Sequence, residues 1–442
     1  MARATADAFS SAACDTWICL RAATADGCTS DVTSQQWTTV SQIGYHQDGA
    51  ETGARPPSPN ADLPLQHAAE LSQQSPRAAM QDAVIAGLFS HYINTLAPWY
   101  DLNDADATFR IVAPARALEF PLLFRAIITF SSMHWSRSTG RLQHIAFAFH
   151  AACVNNLLGA VGHADYPSEL LAASVLLRLY EVLGENMENP ECHLLGAYSF
   201  STAMPMDLSS RGLSQAAYWN YLRQEITVSL TYSRHVRVAK EFPELHDLII
   251  HNGTGDDMRA NLVAYILARA INLFETFTNQ PISDKDLDCH LKSWGDLNSA
   301  LALWREYQPP SLRPFSTAPK PNNVFPSEWM LSPWSVSASQ YALTAEVLLM
   351  LCSHIGHRRG TEGPPLDQIK KLSLQICGLA YTNEYEEARV NSFGPLSFCG
   401  RFLTESKHQA ALVAMLVDFG EATAWPVQFI TTELRKQWSQ HQ

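Results

Sequence analysis

The sequence predicts an all-α protein, a large, irregular, solenoid-like helical bundle behind a mostly disordered N-terminal segment. From residue 81 onward, apolar residues recur with the 3.6-residue period of helices, and the alternation of strands is nearly absent. The second observation is the stretch 170–200, LLAASVLLRLYEVLGENMENPECHLLGAYSF. It reads as a nearly all-apolar helix, a short polar loop, and a second helix opened by Glu191, Cys192 and His193. In the first helix Ser174, Arg178 and Glu181 fall at i, i+4 and i+7, one narrow wet stripe on an otherwise apolar rod. A helix apolar over most of its circumference has to be buried among other helices.

In chain order, residues 1–80 come first. They are rich in Ala, Ser, Thr, Gln and Asp, and prolines at 56, 57, 59, 64 and 76 forbid a continuous helix across the second half. This segment is read as mostly disordered, and residues 81–442 as one helical domain. Trp219, Leu222, Ile226 and Leu230 share a helix face, as do Met258, Leu262, Tyr265, Ile266, Arg269 and Leu273, with Asp256 and Asp257 as candidate caps. Between 307 and 334 lie seven of the 24 prolines, interleaved with Phe315, Phe325, Trp329 and Trp334. A free linker seldom carries four large aromatics, so this loop is expected to lie along the helical body with those rings docked. Ile369, Leu372, Ile376 and Leu379 form a further stripe. Leu412, Met415, Leu416 and Phe419 form another, stopped by Gly420 as a C-cap. The last helix is expected to start at Pro426, with Val427, Ile430, Leu434 and Trp438 inward.

Composition narrows the function classes. A hydrophobic content of 46% suits a folded protein. Forty-three acidic side chains against 31 basic ones give a formal charge of −12, which argues against nucleic-acid binding by the chain itself. The best membrane candidate, 117–130, is interrupted by Glu119, Pro121 and Arg125, which argues against a span. Asp7 and Asp15 sit where the apolar core of a signal peptide would be. Nine scattered cysteines form no disulfide framework, so a reducing compartment, cytosol or nucleus, is expected.

No chemical motif survives inspection. Cys352, His354 and His357 have no evident fourth ligand and read as a polar helix end. Asp284, Asp286 and Asp288 alternate like a calcium loop, but Cys289 stands where its glycine belongs and Gly295 where its glutamate belongs. Asp101, Asp104 and Asp106 have the wrong spacing for a diphosphate-binding DDxxD and read as a turn with a helix cap. His193 reads as a structural polar contact. No catalytic, cofactor-binding or metal-binding residue emerges, and the expectation is a protein that is not an enzyme. Cys14, Cys19 and Cys28, spaced by five and nine positions in an acidic segment, do not make the six-thiolate pattern of a binuclear zinc cluster; they read as unpaired thiols.

Seven segments, taken in order, carry a resemblance. They are LAPWYDLND (96–104), FPLLFRAIITFSSMH (120–134), LLAASVLLRLYE with CHLLGA (to 197), AAYWNYLRQEITVSL (216–230), QYALTAEVLLML (340–351), ICGLAYTNE (376–384) and TAWPVQFITTELRKQW (423–438). Residues from about 84 to 442 resemble the fungal-specific transcription-factor domain, the regulatory region of binuclear zinc-cluster transcription factors. Each segment is mainly an amphipathic helix, so the resemblance carries packing roles and no catalytic residues. It implies a nuclear transcription regulator that contacts the transcription machinery, is able to homodimerise, and by family habit controls specialised-metabolism genes. The first 80 residues depart from the family by having no zinc cluster. DNA contact is then expected only indirectly, through a DNA-binding partner protein, unless an upstream exon supplies the cluster or the gene is a decayed paralogue. The alternative is a helical co-regulator that acts on zinc-cluster factors without touching DNA.

Overall fold

The computed structural model describes residues 64–160, 167–184, 191–204, 211–251, 254–279, 284–356 and 364–440. It is an all-α protein; the one strand-like feature among these residues is an isolated antiparallel bridge between Ser316 and Trp329.

The part of the N-terminal segment that is described is helical. Residues Leu65–Gln73 (α1) and Pro76–Ala79 (α2) are short helices whose prolines act as starts: Pro64 is the N-cap of α1 and Pro76 the first residue of α2. At those positions a missing N–H costs no intrahelical bond. Ala68 and Leu71 are buried, and α1 packs on the later helix Gln143–Ala160.

Next comes a continuous run built of Ala83–His91 (α3), a π turn Tyr92–Leu96 and Ala97–Tyr100 (α4). Asp82 caps α3 through its carboxylate, which accepts from the N–H groups of Val84 and Ile85. The π turn precedes Pro98, which has no N–H for the carbonyl four residues back. Then follow Thr108–Ala117 (α5), Pro121–Thr139 (α6), Gln143–Ala160 (α7), Ser168–Leu183 (α8), Cys192–Ala203 (α9), Leu213–Tyr232 (α10), Leu245–Ile250 (α11), Asp256–Asn279 (α12) and Asp284–Glu306 (α13). After the proline-rich loop come Pro333–Gly356 (α14), Leu366–Thr382 (α15), Glu386–Cys399 (α16), Ser406–Thr423 (α17) and Gln428–Gln440 (α18).

Helix α8 lies against α6, α9 and α10; α10 in turn packs on α12 and α16, and α12 on α14. One continuous apolar cluster joins these layers, from Ala68 to Trp438. Pro333–Cys352 in α14 is long and apolar enough to cross a membrane, yet 72% of its most apolar window is buried inside the protein, as in a core helix.

Several sequence expectations are corrected. The Ser174–Arg178–Glu181 stripe is not wet: the three side chains are 1%, 4% and 5% exposed. Gly420 does not stop α17, which runs on to Thr423 and ends at Ala424 in the left-handed region. Its need for glycine is steric, because a Cβ there would lie 2.9 Å from Val427 and 3.0 Å from the Trp425 carbonyl as the chain doubles back. The last helix begins two residues after Pro426. Asp256 and Asp257 lie within the first turn of α12 instead of capping it. Of the four loop aromatics, Phe325 is buried and Trp334 packs on the core, Trp329 is half-buried, but Phe315 is 60% exposed.

Candidate functional site

Buried polar side chains gather where α4, α8, α10 and α16 meet. The turn after α4 leaves backbone carbonyls that no helix can satisfy, and polar residues from neighbouring helices take them. Asn220 Nδ2 donates to the Tyr100 carbonyl at 2.9 Å and Arg223 Nη2 to the same oxygen at 3.2 Å. Asn261 of α12 donates to the Asn103 carbonyl at 3.0 Å. The Tyr100 hydroxyl and Gln224 Nε2 both donate to the Val175 carbonyl of α8, at 3.1 and 2.9 Å. This lattice fixes the turn, the helix crossing and the tyrosine together.

Two arginines stand in it. Arg223, 3% exposed, meets only neutral acceptors: Asn220 Oδ1 at 2.8 Å, Asn261 Oδ1 at 3.3 Å and the Tyr100 carbonyl. Its Nε has no acceptor. Burial lowers its pKa from the ordinary arginine value, partly opposed by Tyr341, Asp104 and Asp101. Arg178, on α8, pairs with Glu181 at 3.4 Å. Burial pushes the Glu181 carboxyl up to about 7, against the pull of Arg178 and of the His193 N–H it accepts at 3.0 Å.

Arg178, Arg223, Asn220, Gln224, Thr227 and Asn391 are among the residues that line a cavity of about 50 Å³. Trp99, Tyr100, Leu179, Val182, Val228, Val390 and Trp425 supply its apolar and aromatic walls. The arrangement is a small, largely apolar chamber with cationic donors fixed in its wall.

The residues singled out in the sequence land as follows. Asp101 and Asp104 cap α5: Asp101 accepts from the N–H groups of Phe109 and Arg110, and Asp104 from Thr108. Burial raises the Asp101 carboxyl to about 7, an increase that these N–H groups limit. His193 faces His150 with Nε2 atoms 2.9 Å apart, and Tyr180 stacks on His150 with ring centroids 4.3 Å apart. Burial lowers both imidazoles, His150 to about 4 and His193 well below its usual value. Glu191 pairs with Arg234 and Arg237, which also hold the fully buried Glu225. Asp284, Asp286 and Asp288 lie in the helix α13, a backbone that cannot wrap a calcium ion. Cys352 is a buried free thiol, its pKa raised to about 12 by burial; His357, Cys14, Cys19 and Cys28 lie outside the described residues. Cys153, Cys289, Cys352, Cys377 and Cys399 are free. The described residues hold no group of three or more potential metal ligands.

The sequence reading passed over Asn220, Arg223 and Gln224. A signal was present: Asn220, Arg223 and Thr227 fall at i, i+3 and i+7 and so share one helix face, as the α8 stripe does at i, i+4 and i+7.

No family model matches this chain, and no solved structure matches it. The chain is 20% identical over 349 residues to Transcription activator AMTR1 of Alternaria alternata, a match that covers 62% of this chain. It spans 44% of that protein, less than half its length.

Proposed function

We propose that this chain is the helical regulatory body of a fungal-type transcription regulator. It works without catalysing a reaction, and it meets DNA through a DNA-binding partner rather than through its own side chains. The observation that carries this reading is the similarity to a fungal transcription activator. It is supported by the order of the seven helical segments that resemble the fungal-specific transcription-factor domain. The charge of −12 supports the indirect DNA contact, since phosphate recognition needs clustered Lys and Arg. Its targets are proposed to be genes of a specialised-metabolism pathway, on the strength of the family resemblance.

The helical body acts by favouring one conformation in which the transcription machinery or the partner binds it better. Chromatin immunoprecipitation of the tagged chain in a fungal host tests this. Discrete promoters should be recovered, while the purified chain alone shows no tight, salt-steep binding to the same DNA. Recovery of no promoter contradicts the regulator reading. Tight, salt-steep binding by the chain alone contradicts the indirect contact.

A further inference from the structure

The cavity between α4, α8, α10 and α16 holds a guanidinium that the protein does not neutralise by contact. Arg223 is 3% exposed, and its three hydrogen-bond acceptors are two amide side chains and one backbone carbonyl. Asp104 and Asp101, whose charges act on Arg223, make no hydrogen bond to it and accept backbone N–H groups at the start of α5. A buried cation without an anionic partner is costly, and the cost falls when an anion is seated beside it. Gripping the Tyr100 carbonyl explains part of Arg223, yet an asparagine already makes that bond from Asn220. The grip does not explain why the side chain is charged, nor why its Nε has no acceptor.

We infer that this cavity binds a small organic carboxylate, its carboxylate on Arg223 and Arg178 and its hydrocarbon part against Val228, Val390 and Trp425. The walls favour a carboxylate over inorganic phosphate, because the apolar and aromatic side chains in the lining give a fully polar anion nothing to pair with. The size is set by the space. About 50 Å³ accommodates roughly four water-sized groups, the scale of a short-chain acid. A guanidinium fork matches a carboxylate edge, and low-dielectric walls strengthen the pairing. This inference concerns binding alone and stands or falls independently of the transcriptional reading.

The test uses the full 442-residue chain in calorimetry and thermal unfolding. The probes are acetate, propionate and pyruvate, compared with equal sodium chloride, with inorganic phosphate and with propionamide, the uncharged counterpart. At least one acid should bind saturably and raise the unfolding temperature, while chloride, phosphate and propionamide do not. Arg223→Gln should weaken that binding roughly ten-fold or more, the loss of one charge-assisted hydrogen bond. Val390→Phe, which fills the cavity and leaves both arginines in place, should abolish it, and decides the matter even if Arg223→Gln does not fold. No saturable binding by any of the three acids overturns the inference. So does binding that propionamide or phosphate matches, or binding that survives Val390→Phe unchanged.

Discussion

At the scale of single residues, burial of polar groups is the dominant theme. His150 is stacked under Tyr180 and faces His193, so protonation there would place an unsolvated charge in the core. Its pKa falls from the ordinary 6.5 to about 4. Between those two values the unfolded chain binds a proton that the folded chain does not, so this histidine makes stability fall as pH falls. Replacing it removes that linkage. In His150→Gln the slope of unfolding free energy against pH between 6.5 and 4 should become shallower, by at most about 1.4 kcal/mol per pH unit near the middle of the range. Denaturant unfolding of both proteins across that range checks it; parallel profiles would mean that His150 is protonated in the folded state. The polar identity of these residues was plain in the sequence, but their burial was not. Ser174, Arg178 and Glu181 suggested a solvated face because a stripe of polar residues usually is one. Nothing local reveals that the Ser174 hydroxyl bonds back to the Leu170 carbonyl, or that Glu181 receives the His193 N–H at the start of the next helix.

At the scale of elements, the helices with clean periodicity were legible. Helices α8, α10, α12, α15, α17 and α18 each fall over the stripe that announced them. Helix α16 was not, because Gly394 and Pro395 in its middle are breaking signals. Packing overrides them: Gly394 lets the backbone of α10 approach, with a Cβ at this position 2.9 Å from the Thr227 Cα. The proline-rich loop was expected to dock, and its anchors turn out to be polar as much as aromatic. Lys320 Nζ donates to the Tyr381 and Thr382 carbonyls at the end of α15, where the helix dipole favours a cation. Asn383 donates to the Glu328 carbonyl and accepts from the Met330 N–H. The loop's closest approach is at Gly378, where a Cβ would lie 1.8 Å from the Pro326 carbonyl oxygen. Gly378→Ala should therefore lift the loop off α15 and cost about 1–3 kcal/mol or more, the range of overpacked sites. The expected signs are a lower unfolding temperature and faster proteolysis within 311–332; wild-type values for both would contradict this docking.

For the whole molecule, the fold class follows from period alone, because a chain with a helical period throughout has only helix-on-helix layers open to it. The order in which those layers pack does not follow from period, and neither does the chamber between α8 and α10. It is made by residues 99 to 425 of the sequence, brought together only by long-range packing. Function was legible as a class and not as a site, since the segments that carry the family resemblance are packing segments. The central claim is that this helical body acts on transcription. Its most direct measurement fuses the full chain to an unrelated DNA-binding domain upstream of a reporter in a fungal host. Reporter output should lie clearly above that of the DNA-binding domain alone. Output equal to that of the domain alone, with the fusion present in the nucleus at normal level, would contradict it.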